Sequence, residues 1–370
     1  MERVSDREVA PLRAIVELLS YKALAQPLLC AVEPLSGAVK RGKPGDPRTI
    51  FCHDMGGGYK EDRRIRLASL CTLSANCRFI HGCDARHVYR FHHWQIIDTF
   101  IYYSHHLVTI PPPGWISAAH KHGVKVLGTF SLDKDRVSAI SVVTNFGPAA
   151  ASLVASQLAH LASVGRFDGW LISIGCKVDR SRVPSLKILL KAITTEVHKA
   201  VPGSLVIWYD AVDVDGKAEP HNELNEKNSC FLDLCDGIFL NFRWTEAMLQ
   251  KSAQLAGDRK ADVYAGVDVY ARDTPYPGGF EMYKAVQLAR KCGLSAAVFA
   301  AGWVYETKEK MKFGKNQYRL WKFPDDCCSE WRLTKPPLST SFCQGFGSKA
   351  FEAGKAGHLH LTPVSRDQPQ

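Results

Sequence analysis

No uninterrupted apolar run of the roughly 18 residues needed to cross a bilayer occurs in the 370 residues, so no membrane-spanning helix and no membrane partner are expected. The opening Met1-Glu2-Arg3-Val4-Ser5-Asp6 is charged and lacks the apolar stretch of a secretory leader, which points to the cytosol. The 12 cysteines lack the recurring close pairs of a zinc site, and the adjacent Cys327-Cys328 has no second half. Several fall inside apolar runs, such as Ile50-Phe51-Cys52, which suits buried free thiols in a reducing compartment. There is no G-x-G-x-x-G: Gly56-Gly57-Gly58 is not one and opens no clear helix, which disfavours an open nucleotide-binding sheet. No repeat of fixed length is visible. The charge balance of 47 − 37 = +10 is spread along the chain rather than striped on one face, so no nucleic-acid partner is expected.

What the sequence does have is alternation. From Asp46 onward, eight short runs rich in β-branched or aromatic residues recur, at 48–55, 98–103, 125–130, 169–174, 204–212, 237–244, 263–270 and 296–303. Between them lie stretches such as 151–164, 184–201 and 281–292, where Leu, Ile and Ala return every three to four residues. Strands that read as continuous apolar runs are buried on both faces, as in a closed parallel barrel. The pattern therefore predicts a (β/α)₈ TIM barrel over residues 46–322. A short N-terminal extension and linker precede it at 1–45, with an amphipathic stretch at 11–19. Residues 323–370 are rich in Pro, Ser, Gly and Lys, have no periodic core, and read as an irregular tail.

In such a barrel the chemistry sits at the C-terminal ends of the strands. Six of the eight runs close on polar and aromatic residues: His53-Asp54, Tyr102-Tyr103-Ser104-His105-His106, Trp208-Tyr209-Asp210, Asn241-Phe242-Arg243-Trp244, Asp268-Val269-Tyr270-Ala271-Arg272 and Trp303-Val304-Tyr305-Glu306. Rings stack on the C–H faces of sugars while amides and carboxylates pair with hydroxyls, so a carbohydrate ligand is expected. One Trp or Tyr at a strand end is more often core than platform; agreement among six ends shifts that balance. The pairs His92-His93, His105-His106 and His120/His122 are spaced too closely to converge on a metal, and structural or solvated roles are expected. Asp168, ahead of the fourth strand, reads as a turn or ion-pair residue at the bottom of the barrel.

Ordered motifs carry a more specific signal. They include Phe51-Cys52-His53-Asp54-Met55 with Gly57-Gly58-Tyr59, His93-Trp94-Gln95-Ile96-Ile97-Asp98, Val108-Thr109-Ile110-Pro111-Pro112 with Gly114-Trp115, and Leu127-Gly128-Thr129-Phe130. Arg166-Phe167-Asp168-Gly169-Trp170-Leu171-Ile172, Val206-Ile207-Trp208-Tyr209-Asp210, Gly266-Val267-Asp268-Val269 and Gly302-Trp303-Val304-Tyr305-Glu306 follow. Over residues 46–320 the chain resembles the endo-β-N-acetylglucosaminidases of glycoside hydrolase family 85, and Ser341-Phe342-Cys343 with Gly345 is similar to the opening of that family's next, β-rich domain.

That resemblance implies cleavage of the GlcNAc-β-1,4-GlcNAc bond in N-glycan cores by substrate-assisted catalysis, without cofactor or metal, on an N-linked oligosaccharide or glycoprotein, by a monomer. An Asn orients the sugar's 2-acetamido group, whose oxygen attacks the anomeric carbon, and a Glu two residues later protonates the leaving oxygen. The family run Leu-Ile-Asn-Ile-Glu-Asn stands here as Leu171-Ile172-Ser173-Ile174-Gly175-Cys176. Ser173 thus occupies the orienting position and Gly175 the acid position, and neither can perform the family role. The resemblance also assigns Tyr209 to steadying the acetamide, and His53, Trp115, Asn241, Trp244, Asp268, Trp303 and Tyr305 to the sugar cleft. Further departures are Ser131-Leu132-Asp133-Lys134 in place of a Glu-Trp, Pro220 in place of a Trp, and an apparent insertion at 64–77. The activity implied is therefore absent or strongly reduced, the alternative being a glycan-binding pseudoenzyme. Rescue of the acid role falls to Asp179, Asp210 or Glu223 if to any carboxylate.

Overall fold

The computed structural model describes residues 10–21, 38–40, 43, 45–54, 89, 91–132, 147–324, 327–328, 331–333, 350–352 and 355–357. Gly56-Gly57-Gly58, the 64–77 insertion, Asp133-Lys134 and the 341–345 motif lie outside them.

Eight parallel strands close on themselves. They are β1 (Thr49–His53), β2 (Thr99–Tyr102), β3 (Lys125–Leu132), β4 (Gly169–Ile174), β5 (Leu205–Tyr209), β6 (Gly237–Leu240), β7 (Val263–Asp268) and β8 (Ser295–Phe299). Each pairs in parallel with the next, and β8 returns to β1 through Ala296 opposite Thr49 and Phe299 opposite Cys52. The strands fall where the apolar runs fall. Most stop short of the predicted C-terminal limits, because the polar residues that close the runs leave the ladder to build loops; β4 matches its run residue for residue.

Period-two alternation divides the strand residues into two cores. Ile50, Cys52, Ile101, Leu127, Leu171, Ile207, Phe239, Tyr264 and Ala297 pack inside the barrel. Their neighbours, among them Phe51, Phe100, Trp170, Ile172, Ile174, Trp208, Leu240 and Val298, pack outward in the layer that the helices cover. The covering helices are α1 (Pro113–Lys121), α2 (Gly147–Gly165), α3 (Val183–Ala200), α4 (Ser229–Leu232), α5 (Glu246–Ala256), α6 (Tyr283–Lys291), α7 (Trp303–Thr307) and α8 (Phe313–Leu320). In α3 the buried positions Leu186, Leu189, Leu190, Ile193 and Val197 recur at helical spacing and make the stripe that faces the sheet. Thr245 caps α5 by accepting from Met248 N–H at 3.3 Å. Trp208 stacks on Phe231 of α4 with centroids 4.4 Å apart.

The bottom of the barrel is tied by side chains to backbone. The Asp168 carboxylate accepts from Val126 N–H and pairs with His120 Nε2, both at 2.7 Å, the turn and ion-pair role its place before β4 suggests. Gly169 beside it has φ +131°, and a Cβ there would lie 1.9 Å from the Leu205 carbonyl oxygen, so only glycine fits between β4 and β5. Before the barrel, Ile15–Leu19 forms a short helix with Ile15 and Leu18 buried. Where residues 323–370 show no periodic core, the described part holds only short antiparallel pairs: Trp331–Leu333 with Ala38–Lys40, and Ala350–Glu352 with Lys355–Gly357. Among the described residues no helix is long and apolar enough to cross a membrane.

Candidate active site

On β4, Leu171 packs inside the barrel while Trp170, Ile172, Ile174 and Cys176 pack outside. Ser173 and Gly175 therefore face inward, Gly175 at the C-terminal mouth, where its N–H still donates to Leu132 O at 2.8 Å. Gly175 is not among the residues with positive φ, so the backbone itself does not demand glycine there. Ser131 lies opposite Ser173 in the β3–β4 ladder. On the other side Ile172 pairs with Trp208, so Ser173 is followed around the barrel by Tyr209, whose ring packs on the inner core.

Tyr209 is fixed by a chain of hydrogen bonds. Its Oη donates to Asn241 Oδ1 at 2.8 Å, and Asn241 Nδ2 donates to Asn222 Oδ1 at 2.7 Å. Asn222 N–H donates to Asp210 Oδ2 at 2.8 Å, and Asn228 Nδ2 to Asp210 Oδ1 at 3.0 Å. Burial pushes the Tyr209 phenol well above its ordinary range, with Asp210 nearby adding to the effect. Burial likewise raises Asp210, against the hydrogen bonds from Asn228 and Asn222 that lower it.

Farther round, Asp268 is buried at the end of β7 and is taken up by Arg272: Nε donates to Oδ2 at 2.7 Å and Nη2 to Oδ1 at 3.1 Å, with the N–H groups of Tyr270 and Arg272 adding two more bonds. Arg272 is held above its ordinary range chiefly by that hydrogen bonding. Tyr270 donates to Glu306, and burial together with that carboxylate pushes its phenol up to about 12. Asp54, next after β1, pairs with His105 at 3.3 Å.

The structure does not bring every expected cleft residue to this mouth. His53 points outward from β1, opposite in phase to Cys52, into an aromatic cluster: its ring lies 4.8 Å from Trp115, 5.1 Å from Tyr89, 5.6 Å from Tyr102 and 5.9 Å from Phe100. Burial lowers its pKa to about 3. His53 is thus a packing residue under α1 and Trp115 the α1 residue that packs on it, a correction to their expected place in the sugar cleft. Trp244 is corrected likewise: it is fully buried, stacks on Tyr276 at 4.4 Å and donates Nε1–H to Gly266 O at 2.7 Å. Trp303 and Tyr305 stay partly exposed on α7, each under a lysine, Lys308 at 4.2 Å and Lys310 at 4.3 Å from the ring centroids.

None of the three candidate rescue carboxylates aims into the mouth from β4. Asp179 caps the turn at Ser181, Asp210 serves Asn222 and Asn228, and Glu223 lines a separate cleft of about 880 Å³ with His221, Lys227 and Lys251. The histidines behave structurally: His120 pairs with Asp168 and His122 bonds Ala118 O. Among the described residues no group of three or more His, Cys, Asp or Glu is arranged to hold a metal ion.

Residues 73–350 match the model of glycosyl hydrolase family 85. The chain belongs to that family. It is 45% identical over 327 residues to the cytosolic endo-β-N-acetylglucosaminidase of Gallus gallus, covering 87% of this chain and 43% of that protein. Against the Homo sapiens protein of the same name it is 40% identical over 347 residues, covering 91% of this chain and 44% of the other. The chain therefore spans less than half the length of these family 85 relatives. Among solved structures it is similar to the glycoside hydrolase domain of Endo-D from Streptococcus pneumoniae R6, with a TM-score of 0.66, 17% identity, and coverage of 95% of this chain and 59% of that one. At that identity the likeness speaks to the fold.

Asn222 is the mouth residue that sequence reading misses, while Arg272, Tyr270 and Glu306 are read there only as strand-end groups without a role of their own. Asn222 sits in a loop at φ +60°, which Asn tolerates better than most residues, but nothing local reveals its bond to Asn241, 19 residues on.

Proposed function

We propose that residues 46–322, as one barrel unit, bind N-linked oligosaccharides or glycoproteins in the manner of a cytosolic endo-β-N-acetylglucosaminidase, with hydrolysis of the GlcNAc-β-1,4-GlcNAc bond absent or strongly reduced. One observation carries this reading: Gly175 faces the mouth at the position where the family resemblance expects the proton donor. A glycine has no proton to give, and losing general acid catalysis costs about 10²–10⁴ in rate. Ser173, at the acetamide-orienting position, has one rotatable hydroxyl in place of an amide's separate donor and acceptor. Tyr209, Asn241 and the partly exposed Trp303 and Tyr305 supply the polar and aromatic groups that a sugar requires. Asp268 contributes by holding Arg272 at the rim. Cytosolic location follows the names of the family relatives, and we take the chain to act as a monomer without a cofactor.

The test is calorimetric titration of the protein with a high-mannose glycopeptide, alongside mass spectrometry of the mixture after prolonged incubation. Saturable binding with no released glycan supports the reading. Absence of binding removes it, and efficient release removes the claim of lost activity.

A further inference from the structure

Positive charge that reads as spread along the chain is locally dense past β8. From Lys308 to Lys322 six Lys and Arg stand against one Glu, 6 − 1 = +5 of the chain's +10. The neighbouring acids are already engaged: Glu309 pairs with Lys312 at 2.6 Å, Glu281 with Lys284 at 2.7 Å, and Glu306 accepts from Tyr270. Among the described residues no carboxylate forms an ion pair with Lys308, Lys310 or Arg319. Each of these three cations lies over an aromatic ring instead: Lys308 Nζ is 4.2 Å from the Trp303 centroid, Lys310 Nζ 4.3 Å from that of Tyr305, and Arg319 Cζ 4.1 Å from that of Phe280. A ring attracts a cation without cancelling its charge, and it orders the long side chain in advance, so less rotamer freedom is lost when an anion arrives. Phe280 stands edge-on to Trp303 with centroids 5.1 Å apart, and Lys308 Nζ is also 5.9 Å from the Phe280 centroid. Sharing that ring keeps Lys308 and Arg319 within about 10 Å of each other, a Debye length at ~0.1 M salt, where two like charges repel unless an anion lies between them.

Trp303 and Tyr305 open α7, just past β8, so these cations flank the mouth. The ring face beneath each cation is closed to the C–H face of a neutral sugar and to a nucleic-acid base, both of which stack on open rings. The outermost groups are therefore charges. We propose that Lys308, Lys310 and Arg319 form an anion-reading rim, so that this site prefers N-glycans carrying a carboxylate or a phosphate on an outer sugar over neutral ones. This rests on the proposed reading of the mouth as a glycan site and names the class of glycan it takes.

The experiment measures affinity for two pairs of ligands: a sialylated biantennary glycopeptide with its desialylated form, and a high-mannose glycopeptide bearing one phosphate monoester with its dephosphorylated form. The unmodified chain is expected to bind the charged member of at least one pair about fivefold more tightly at low salt, the worth of two exposed ion pairs, and the pair that shows it identifies the anion. Lys308→Gln, Lys310→Gln, which keeps the aliphatic stems over the rings, is expected to reduce that preference below about twofold. Lys191→Gln, Lys199→Gln removes the same charge from exposed positions on α3, across the barrel, and is expected to keep the preference in full. Equal affinity within both pairs overturns the inference and leaves the glycan reading standing. An equal loss of preference in the two double variants also overturns it, by reducing the effect to net charge. Tighter binding of a single-stranded polynucleotide than of either charged glycopeptide overturns it in favour of a nucleic-acid surface. Binding of none of the four glycopeptides overturns both the inference and the glycan reading.

Discussion

Ser131 and Ser173 face each other across the β3–β4 ladder, both on the inner surface of the barrel, with Ile174 registered against Leu132 one step on. Two short hydroxyls thus line a stretch of wall where the family resemblance expects a carboxylate and an amide. The same wall ends at Gly175. On the proposed reading this stretch of wall, Ser131, Ser173 and Gly175, keeps its place in the barrel but offers no carboxyl group to act as an acid.

Trp244 and Tyr209 separate scaffold from site. Trp244→Phe keeps the stack on Tyr276 but loses the bond to Gly266 O, and is expected to cost about 1–2 kcal/mol of stability with glycan affinity unchanged. Tyr209→Phe is expected to weaken glycan binding by about tenfold. Chemical denaturation and calorimetric titration of both variants check the contrast; a loss of affinity in Trp244→Phe as large as that in Tyr209→Phe would return Trp244 to the cleft.

The sequence makes the architecture legible because a barrel strand must be apolar on both faces and eight such runs alternate with helical spacing. The same rule identifies Ser173 and Gly175 as inward once β4 is located, since alternation leaves no choice of face. Residues just past the strands are harder to place. His53 and Trp115 carry the chemistry of a sugar platform, yet the phase of β1 turns His53 outward into a ring cluster. Trp244 lies four residues beyond the end of β6, where no periodicity governs, and its direction is decided by Tyr276, which arrives from a different loop. Asn222 is invisible for the same reason: its role is a contact between the loops that follow β5 and β6.

His53 makes stability depend on acid. Its folded pKa of about 3 lies below the ordinary 6.5, so the unfolded chain takes up a proton that the folded chain refuses. The unfolded state binds more protons between those values, so stability is full above pH 6.5 and is lost as pH falls toward 3, by roughly 3 kcal/mol at pH 4. Thermal unfolding from pH 7 to pH 4 should show this decline, and His53→Phe, which keeps an aromatic ring in the cluster, should flatten it. An unchanged slope in that variant would assign the acid sensitivity elsewhere.

Asp268 is expected to hold its loop through charge rather than by touching sugar. Asp268→Asn keeps the shape but weakens the paired bonds from Arg272, and should cost about 1–3 kcal/mol in denaturant unfolding. Because Arg272 is more than half exposed, solvent screening keeps the loss at the lower end of that range. A loss of glycan affinity without loss of stability would instead make Asp268 a direct ligand.

The most direct measurement is release of the oligosaccharide from a high-mannose glycopeptide, compared between the unmodified chain and the Ser173→Asn, Gly175→Glu double variant. The backbone at 175 does not require glycine, so a glutamate there reaches the mouth without strain at φ. The account predicts no detectable release by the unmodified chain and a gain of at least about 10²-fold in the double variant. Release by the unmodified chain at a rate equal to that of the double variant would contradict it.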